Sequence, residues 1–328
     1  MTSSNRKRGT ALISALLIVT VMSAVAVELL GDMRFAIARS GNLSTRDQAY
    51  WYALGARDYA ENLLGRVMQP PDAALRPDAP WLHGPRQFPI EGGMIEARLR
   101  DGHTCFNINS LVTETEPGRY TTNPDAVAQL DTLLTMVGLP PVTASLLSAE
   151  AADWIDSDTR PGPGGAEDFA YAGLDIPYRP ANTLMVEVEE VRALRSMTPD
   201  LYTVAAPHLC ALPVAGSVPI NINTLVPGDA VQLAARFSAH LSRADAEAIL
   251  LRRPSGGYAA EADFWADQAF AGRELDAGDF AQITRRSTWF DIRVRVEMED
   301  ARFHLDAGFE VGRGGVVTRH GQRFGSLS

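Results

Sequence analysis

Between Thr10 and Leu30 the chain carries 21 residues with one charge, Glu28, directly behind Arg6, Lys7, Arg8 and Gly9. As a helix this stretch is about 31 Å long, the thickness of one hydrocarbon core. An apolar segment of this length crosses a bilayer or is cut from the mature chain. Three cations stand before it and none within it, which keeps the N-terminus cytoplasmic and sends the rest outside.

Three readings fit the segment. One is a plain signal anchor. Another is a secretory signal peptide removed after the small residues Ala24, Val25 and Ala26. The third is a type IV prepilin leader, residues 1–9, cut between Gly9 and Thr10, with 10–30 kept as the mature N-terminal helix. The residues beyond Leu30 favour the third. No linker intervenes, and Ala49, Ala53, Ala56, Ala60, Leu63 and Val67 recur at three- and four-residue spacing. One helix of about 55–60 residues is expected, ending before Pro70-Pro71, with weak points at Gly31 and Gly41-Asn42. Such a helix suits a subunit that leaves the membrane and packs helix against helix in a filament.

The Arg-Gly leader is one of a series of motifs. Others are Gln48–Ala56, Cys105-Phe-Asn-Ile-Asn-Ser-Leu111 and Asp153-Trp-Ile-Asp-Ser-Asp158. Gly165-Ala-Glu-Asp168, Pro177–Asn182 and Ile220-Asn-Ile-Asn-Thr-Leu225 complete it. In this order, over nearly the whole chain, they resemble the minor pseudopilin K family of the type II secretion system. Pilin-like families usually carry Glu at the fifth mature position, where this chain has Ser14; the K subunits typically lack it. The resemblance implies a non-enzymatic subunit at the tip of a periplasmic pseudopilus, initiating it and helping to export folded proteins across the outer membrane. It implies a single-pass inner-membrane protein with its bulk in the periplasm. Implied partners are the I and J minor pseudopilins, the major pseudopilin, prepilin peptidase and the inner-membrane assembly platform. The surface expected to meet the partner helices comprises Tyr50, Trp51, Ala53, Ala56, Ala60 and Leu63. Methylation of Thr10 after cleavage is part of the same expectation.

The expected fold is α+β: a type IV pilin-like roll, in which the long helix packs on an antiparallel sheet, carrying a large helical insertion. Residues Met94–Arg100, Phe290–Met298 and Phe303–Val311 alternate apolar with polar, the pattern of a sheet with one covered face, and a hairpin turn is expected near Glu299. The roll thus comprises 31–105 and 286–315, and 316–328 reads as a flexible tail. The insertion, 106–285, contains an echo: Asn107-Ile-Asn-Ser-Leu-Val112 matches Asn221-Ile-Asn-Thr-Leu-Val226, each leading into two helical patterns. Asn123 and Ser242 are N-cap candidates. The echo predicts two related helical modules.

Cys105 and Cys210 are the only cysteines. Two cysteines and scattered histidines give no zinc spacing. Beyond the membrane, in an oxidising compartment, they form either a disulfide or two buried thiols, and the compartment favours the bond. The most chemical segment is Asp153–Tyr171. Its Gly/Pro loop can gather Asp156, Asp158, Glu167 and Asp168, with Asn182 as a further oxygen. Such carboxylates repel each other unless a hard cation sits among them, and oxygen donors of this kind suit calcium. The family resemblance implies calcium in this insertion. The alternative is an acidic loop tied by Arg160 and Arg179.

Catalytic motifs are absent: no Gly-x-Ser-x-Gly, no His-Glu-x-x-His, no Walker loop and no dinucleotide fingerprint. The net charge of −10 falls by three more units if Arg6, Lys7 and Arg8 are removed, which argues against nucleic acid. One contrary feature remains. The second Asn-x-Asn loop, its two helices and Arg252-Arg253 before Gly256-Gly257 resemble helix-hairpin-helix modules. A minor pilin of a type IV pilus or DNA-uptake system is therefore the alternative function.

Overall fold

The computed structural model describes residues 4–70, 75–82, 84–299 and 301–325, apart from the side chains of 4–10. The chain opens with helix α1 (Ser4–Val67) and strands β1 (Arg86–Ile90) and β2 (Gly93–Asp101). The first module comes next: β3 (Phe106–Asn107), β4 (Val112–Glu116), β5 (Arg119–Thr122), α2 (Pro124–Met136), α3 (Pro141–Ile155), α4 (Asp168–Ala172), α5 (Pro199–Ala205) and β6 (Leu209–Cys210). The second holds β7 (Ile220–Asn221), α6 (Ala230–Arg236), α7 (Arg243–Arg252), α8 (Glu261–Trp265), α9 (Ala277–Ala281) and β8 (Ile283–Thr284). The chain then returns through β9 (Trp289–Met298), β10 (Ala301–Val311) and β11 (Val317–Phe324).

Helix α1 runs unbroken through Gly31 and Gly41, its 64 residues spanning about 96 Å. An 18-residue window near its start reaches mean hydropathy 2.4 with none of it buried, so it is long and apolar enough to cross a membrane. Burial begins at Ala49. The stripe that meets the sheet is Ala49, Ala53, Arg57, Ala60, Leu64 and Met68, and this corrects the expected one. Over its last two turns the stripe lies one residue later than the sequence spacing suggested. Leu63 is half-covered and Val67 faces outward. Arg286 donates to the Met68 and Pro70 carbonyls at 3.1 and 3.0 Å, supplying donors that the helix end lacks.

The five-stranded antiparallel sheet has the order β1-β2-β9-β10-β11. Alternation holds where expected: Phe290, Ile292, Val294, Val296 and Met298 are buried, as are Leu305, Ala307, Phe309 and Val311. At the β9–β10 hairpin, Glu299 adopts φ 47°. Of the expected flexible tail, 326–328 lie outside the described residues and Val317–Phe324 form strand β11 instead. Its sequence shows no apolar period because it is an edge strand and because the register shifts between Ala307 and Gly308 opposite it. Arg319 on Glu61 at 3.1 Å, Gln322 on Arg57, and Phe324 against Tyr50 (centroids 5.4 Å) strap it to α1.

The insertion leaves between the neighbouring strands β2 and β9. Its modules have separate apolar clusters, one around Ile108, Leu130, Leu147 and Trp154, the other around Ile222, Leu233, Phe237 and Phe264. Both begin alike. In the first, Asn107 Oδ1 accepts from the Asn109 N–H, the Ser110 hydroxyl donates to the Asn107 carbonyl, and β3 pairs parallel with β6. In the second, Asn221 Oδ1 accepts from the Asn223 N–H, the Thr224 hydroxyl lies 3.4 Å from the Asn221 carbonyl, and β7 pairs parallel with β8. Asn123 and Ser242 cap α2 and α7, accepting from the N–H groups of Ala126 and Asp245. Cys105 and Cys210 form a disulfide beside β3 and β6.

Candidate functional site

The carboxylate site is built at the end of α3. Asp156 stops that helix with an extended backbone, and its N–H still reaches the Ala152 carbonyl. Thr122 of β5 donates to Asp156 Oδ2 at 2.7 Å. Ser157 is tied to Tyr120 through both of that residue's backbone polar groups, so β5 aims the turn. Asp158 Oδ1 accepts from the Arg160 N–H at 2.7 Å. The loop then wraps back over Asp153, whose carboxylate oxygens accept from the Gly162 N–H at 3.2 and 3.1 Å. A Cβ on Gly165 would stand 1.9 Å from Asp153 Oδ2, so only glycine allows this approach. Ala166 is buried next, and Glu167 enters the site as the residue before α4.

The loop brings together Asp156, Asp158 and Glu167: each offers one oxygen within 4.8 Å of the others. Glu167 is 3% exposed, yet neither carboxylate oxygen has a hydrogen-bond partner. Burial pushes its carboxyl up to about 7, with further contributions from Asp153, Asp156 and Asp158. Burial likewise raises Asp156, and raises Asp153 to about 6. Asn182 sits at the rim with φ 48°, its Nδ2 donating to the Asp158 carbonyl at 3.1 Å while its buried Oδ1 has no partner. Among the described residues, no arginine or lysine comes within ion-pair distance of the three clustered carboxylates.

Asp168 departs from the expected ligand set. It is the first residue of α4, outside the carboxylate cluster, and it faces Arg179 at 3.8 Å. Sequence reasoning gave Asp153 no role of its own. Its signal was the spacing of Gly162 and Gly165, which marks a loop that must close on something. An oxygen-lined site with buried, partnerless acceptors and mutually raised carboxyls fits a hard divalent cation.

The expected partner surface on α1 divides. Ala53 and Ala60 are buried against the chain's own sheet, and Ala56 packs beside them. Tyr50 packs edge-on against Phe303 and tilted against Phe324 within the roll. Trp51 and Tyr59, at 68% and 57% exposure, form the outward face. The side chains at the Gly9–Thr10 cleavage position lie outside those described. In the second module the arginines suggested for phosphate contacts are engaged elsewhere. Arg252 pairs with Asp267 at 2.6 Å, and Arg253 donates to the Ile222 and Leu225 carbonyls at 2.8 and 2.7 Å.

Residues 104–214 and 220–284 match the family described as type II secretion system (T2SS), protein K, and these stretches coincide with the two modules. The type II secretion system protein K of Pectobacterium carotovorum subsp. carotovorum is 34% identical over 92% of this chain and 91% of its own. The Aeromonas hydrophila protein of the same description is 32% identical, covering 95% and 96%. Among solved structures, a chain of the GspK-GspI-GspJ complex from enterotoxigenic Escherichia coli superposes with a TM-score of 0.75 at 28% identity, over 88% of this chain and 99% of that one. With its long apolar N-terminal helix, its antiparallel sheet and its two-module insertion, this chain belongs to the type II secretion system protein K family of minor pseudopilins.

Proposed function

We propose that this chain sits at the tip of the pseudopilus, where it initiates the filament and helps export folded proteins across the outer membrane. The position of the insertion carries the reading. The neck of the insertion lies at the end of α1 remote from the apolar segment, where Leu75 donates to the Arg285 carbonyl and Arg286 to those of Met68 and Pro70. A body of about 180 residues held there blocks a copy stacked above and leaves the outer face of α1 open to subunits alongside. The related GspK was solved with GspI and GspJ, so the partners proposed here are the corresponding I and J subunits. Co-expressed with both in detergent, the full chain should co-elute with them, and Trp51→Ala with Tyr59→Ala should weaken the complex. A chain that stays monomeric beside both partners would refute the tip assignment.

The membrane topology and processing belong to the same proposal: a single-pass inner-membrane anchor, a periplasmic body, and cleavage by prepilin peptidase between Gly9 and Thr10. N-terminal sequencing should begin at Thr10; a start at Val27 would indicate an ordinary signal peptide.

The carboxylate site is proposed to hold calcium, with Asp156, Asp158 and Glu167 as ligands and Asn182 Oδ1 beside them. The cation supplies the positive charge that these side chains lack, fixing the 156–182 loop to α3. Calorimetric titration with calcium should show binding that Glu167→Ala abolishes.

A further inference from the structure

Only two stretches of chain join the roll to the insertion, and both pass through one buried cluster. Asp101 and His103 stand on the outgoing stretch, Ser287 and Thr288 on the returning one. The second module adds Pro219, Asn221 and Thr224. Asp101 is 2% exposed. Its Oδ1 accepts from the His103 N–H at 2.8 Å, and its Oδ2 accepts from the hydroxyls of Thr224 and Ser287, each at 2.5 Å. Ser287 Oγ in turn accepts from Asn221 Nδ2 at 2.7 Å. Three donors therefore surround the carboxylate, and they come from three segments.

His103 is 4% exposed and bridges the same seam. The Thr288 N–H can only donate, so His103 Nε2 accepts from it at 3.0 Å. The Pro219 carbonyl can only accept, so Nδ1 carries the proton and donates at 2.7 Å. These partners fix the neutral Nδ1–H tautomer. The Thr288 hydroxyl lies 3.1 Å from the same Nε2. Two charged groups face the ring from the elements packed on it, Asp101 at the end of β2 and Arg236 on α6.

We propose that this neck is an acid-sensitive joint, in which a proton taken up on His103 Nε2 breaks the bond from Thr288 and frees the insertion to move against the roll. A protonated Nε2 is a donor facing the Thr288 N–H; it can turn to the Thr288 hydroxyl at 3.1 Å, but the buried backbone N–H then loses the acceptor it has in the closed neck. The proton comes from solvent and no covalent bond changes. The Cys105–Cys210 disulfide lies past His103 on the outgoing stretch and ties it to β6, so it holds the first module together while the neck opens. Burial, the largest influence on the ring, lowers the His103 pKa below its ordinary 6.5; Asp101 opposes this and Arg236 adds to it. The closed neck therefore excludes a proton that the open neck accepts. Its stability is complete above the ordinary histidine value and declines as pH falls below it.

The test is hydrogen exchange of the full chain in detergent, read on peptides covering 283–291 and corrected for intrinsic rate. Between neutral pH and about pH 5, opening of this segment should rise by up to about tenfold per pH unit, while residues 292–298 in the sheet stay protected. In His103→Gln, exchange of 283–291 should not vary with pH. Equal protection of the natural chain at both pH values would overturn the proposal, as would a pH dependence that survives in the variant. If the variant does not fold, ring nitrogen-15 shifts of the natural chain decide. Titration of His103 in step with the loss of protection supports the joint; a ring that stays neutral until the whole chain unfolds refutes it.

Discussion

Asn109 and Asn223 occupy the same place in the two modules and make the same contact. Each side-chain amide accepts the N–H and donates to the carbonyl of one distant residue, Met185 for Asn109 and Tyr258 for Asn223. Each module then runs through two helices to a glycine pair packed against a polar side chain. Gly165 presses on Asp153, and Gly257 on Asn223. The modules part at the end of the second helix. There the second module has Arg253, whose guanidinium reaches the carbonyls of its own Asn loop. The first has Asp156, joined by Asp158 and Glu167, and among the described residues no arginine or lysine pairs with the three. One module carries its positive charge covalently, and the other, on the calcium reading proposed above, takes it from solution. The shared loop fixes the scaffold, and on that reading the residue at the end of the second helix decides whether the module depends on a ligand.

The largest effects test the shared scaffold. Asn223→Ala removes the two-bond clamp on Tyr258, and Asn109→Ala removes that on Met185 with a third bond to the Leu212 carbonyl; each leaves buried backbone groups unpaired, at a cost of about 3 kcal/mol apiece. Hydrogen exchange of each module should show losses of similar size, confined to the altered module. A harmless change in one of them would break the equivalence. Calcium should come next. At a hundredfold excess over its dissociation constant it should stabilise the first module by about 2.7 kcal/mol and leave the second unchanged. Magnesium, which demands a tighter octahedron, should not replace it. Asp156→Ala should abolish the response. Somewhat smaller is Arg253→Met, which should cost the second module about 2 kcal/mol whether or not calcium is present. A calcium-dependent loss there would mean that the modules share one site.

The sequence made the elements with a strong period legible: the apolar helix, the alternating strands β2, β9 and β10, and the repeated Asn loop. It concealed what has no period. Strand β11 is a polar edge whose partners are Glu61, Arg57 and Tyr50, more than 250 residues away, and nothing local announces it. Helical spacing located the buried stripe of α1 but put Leu63 and Val67 where Leu64 and Met68 belong, because alanines and leucines occur on both sides of the true seam. The carboxylate site was legible as a cluster. Which carboxylate turns inward was not, since Glu167 and Asp168 are adjacent and only the start of α4 separates their directions. The clamps at Asn109 and Asn223 depend on contacts 76 and 35 residues away.

The smallest expected effect is the most diagnostic, because its sign reverses. Without a cation, the Glu167 carboxyl is raised from 4.5 to about 7. Between those values the folded chain holds a proton that the unfolded chain has released. The resulting stabilisation is complete below 4.5 and is lost as pH rises through about 7. Above that, the folded site carries a buried negative charge beside Asp156 and Asp158. Glu167→Gln removes this charge, and its amide can donate to the two remaining carboxylates. In chelator near pH 8 the variant should therefore be more stable than the natural chain, by about 1 kcal/mol, and its stability should lack the decline from acid to neutral pH. In calcium the order should invert, because the substitution takes away an anionic ligand that the cation needs. Melting curves of both chains, in chelator and in calcium, read the four values. A Glu167→Gln chain that is less stable in both conditions would show that the carboxylate is held by the protein itself, and the contrast between the modules would then rest on something other than charge.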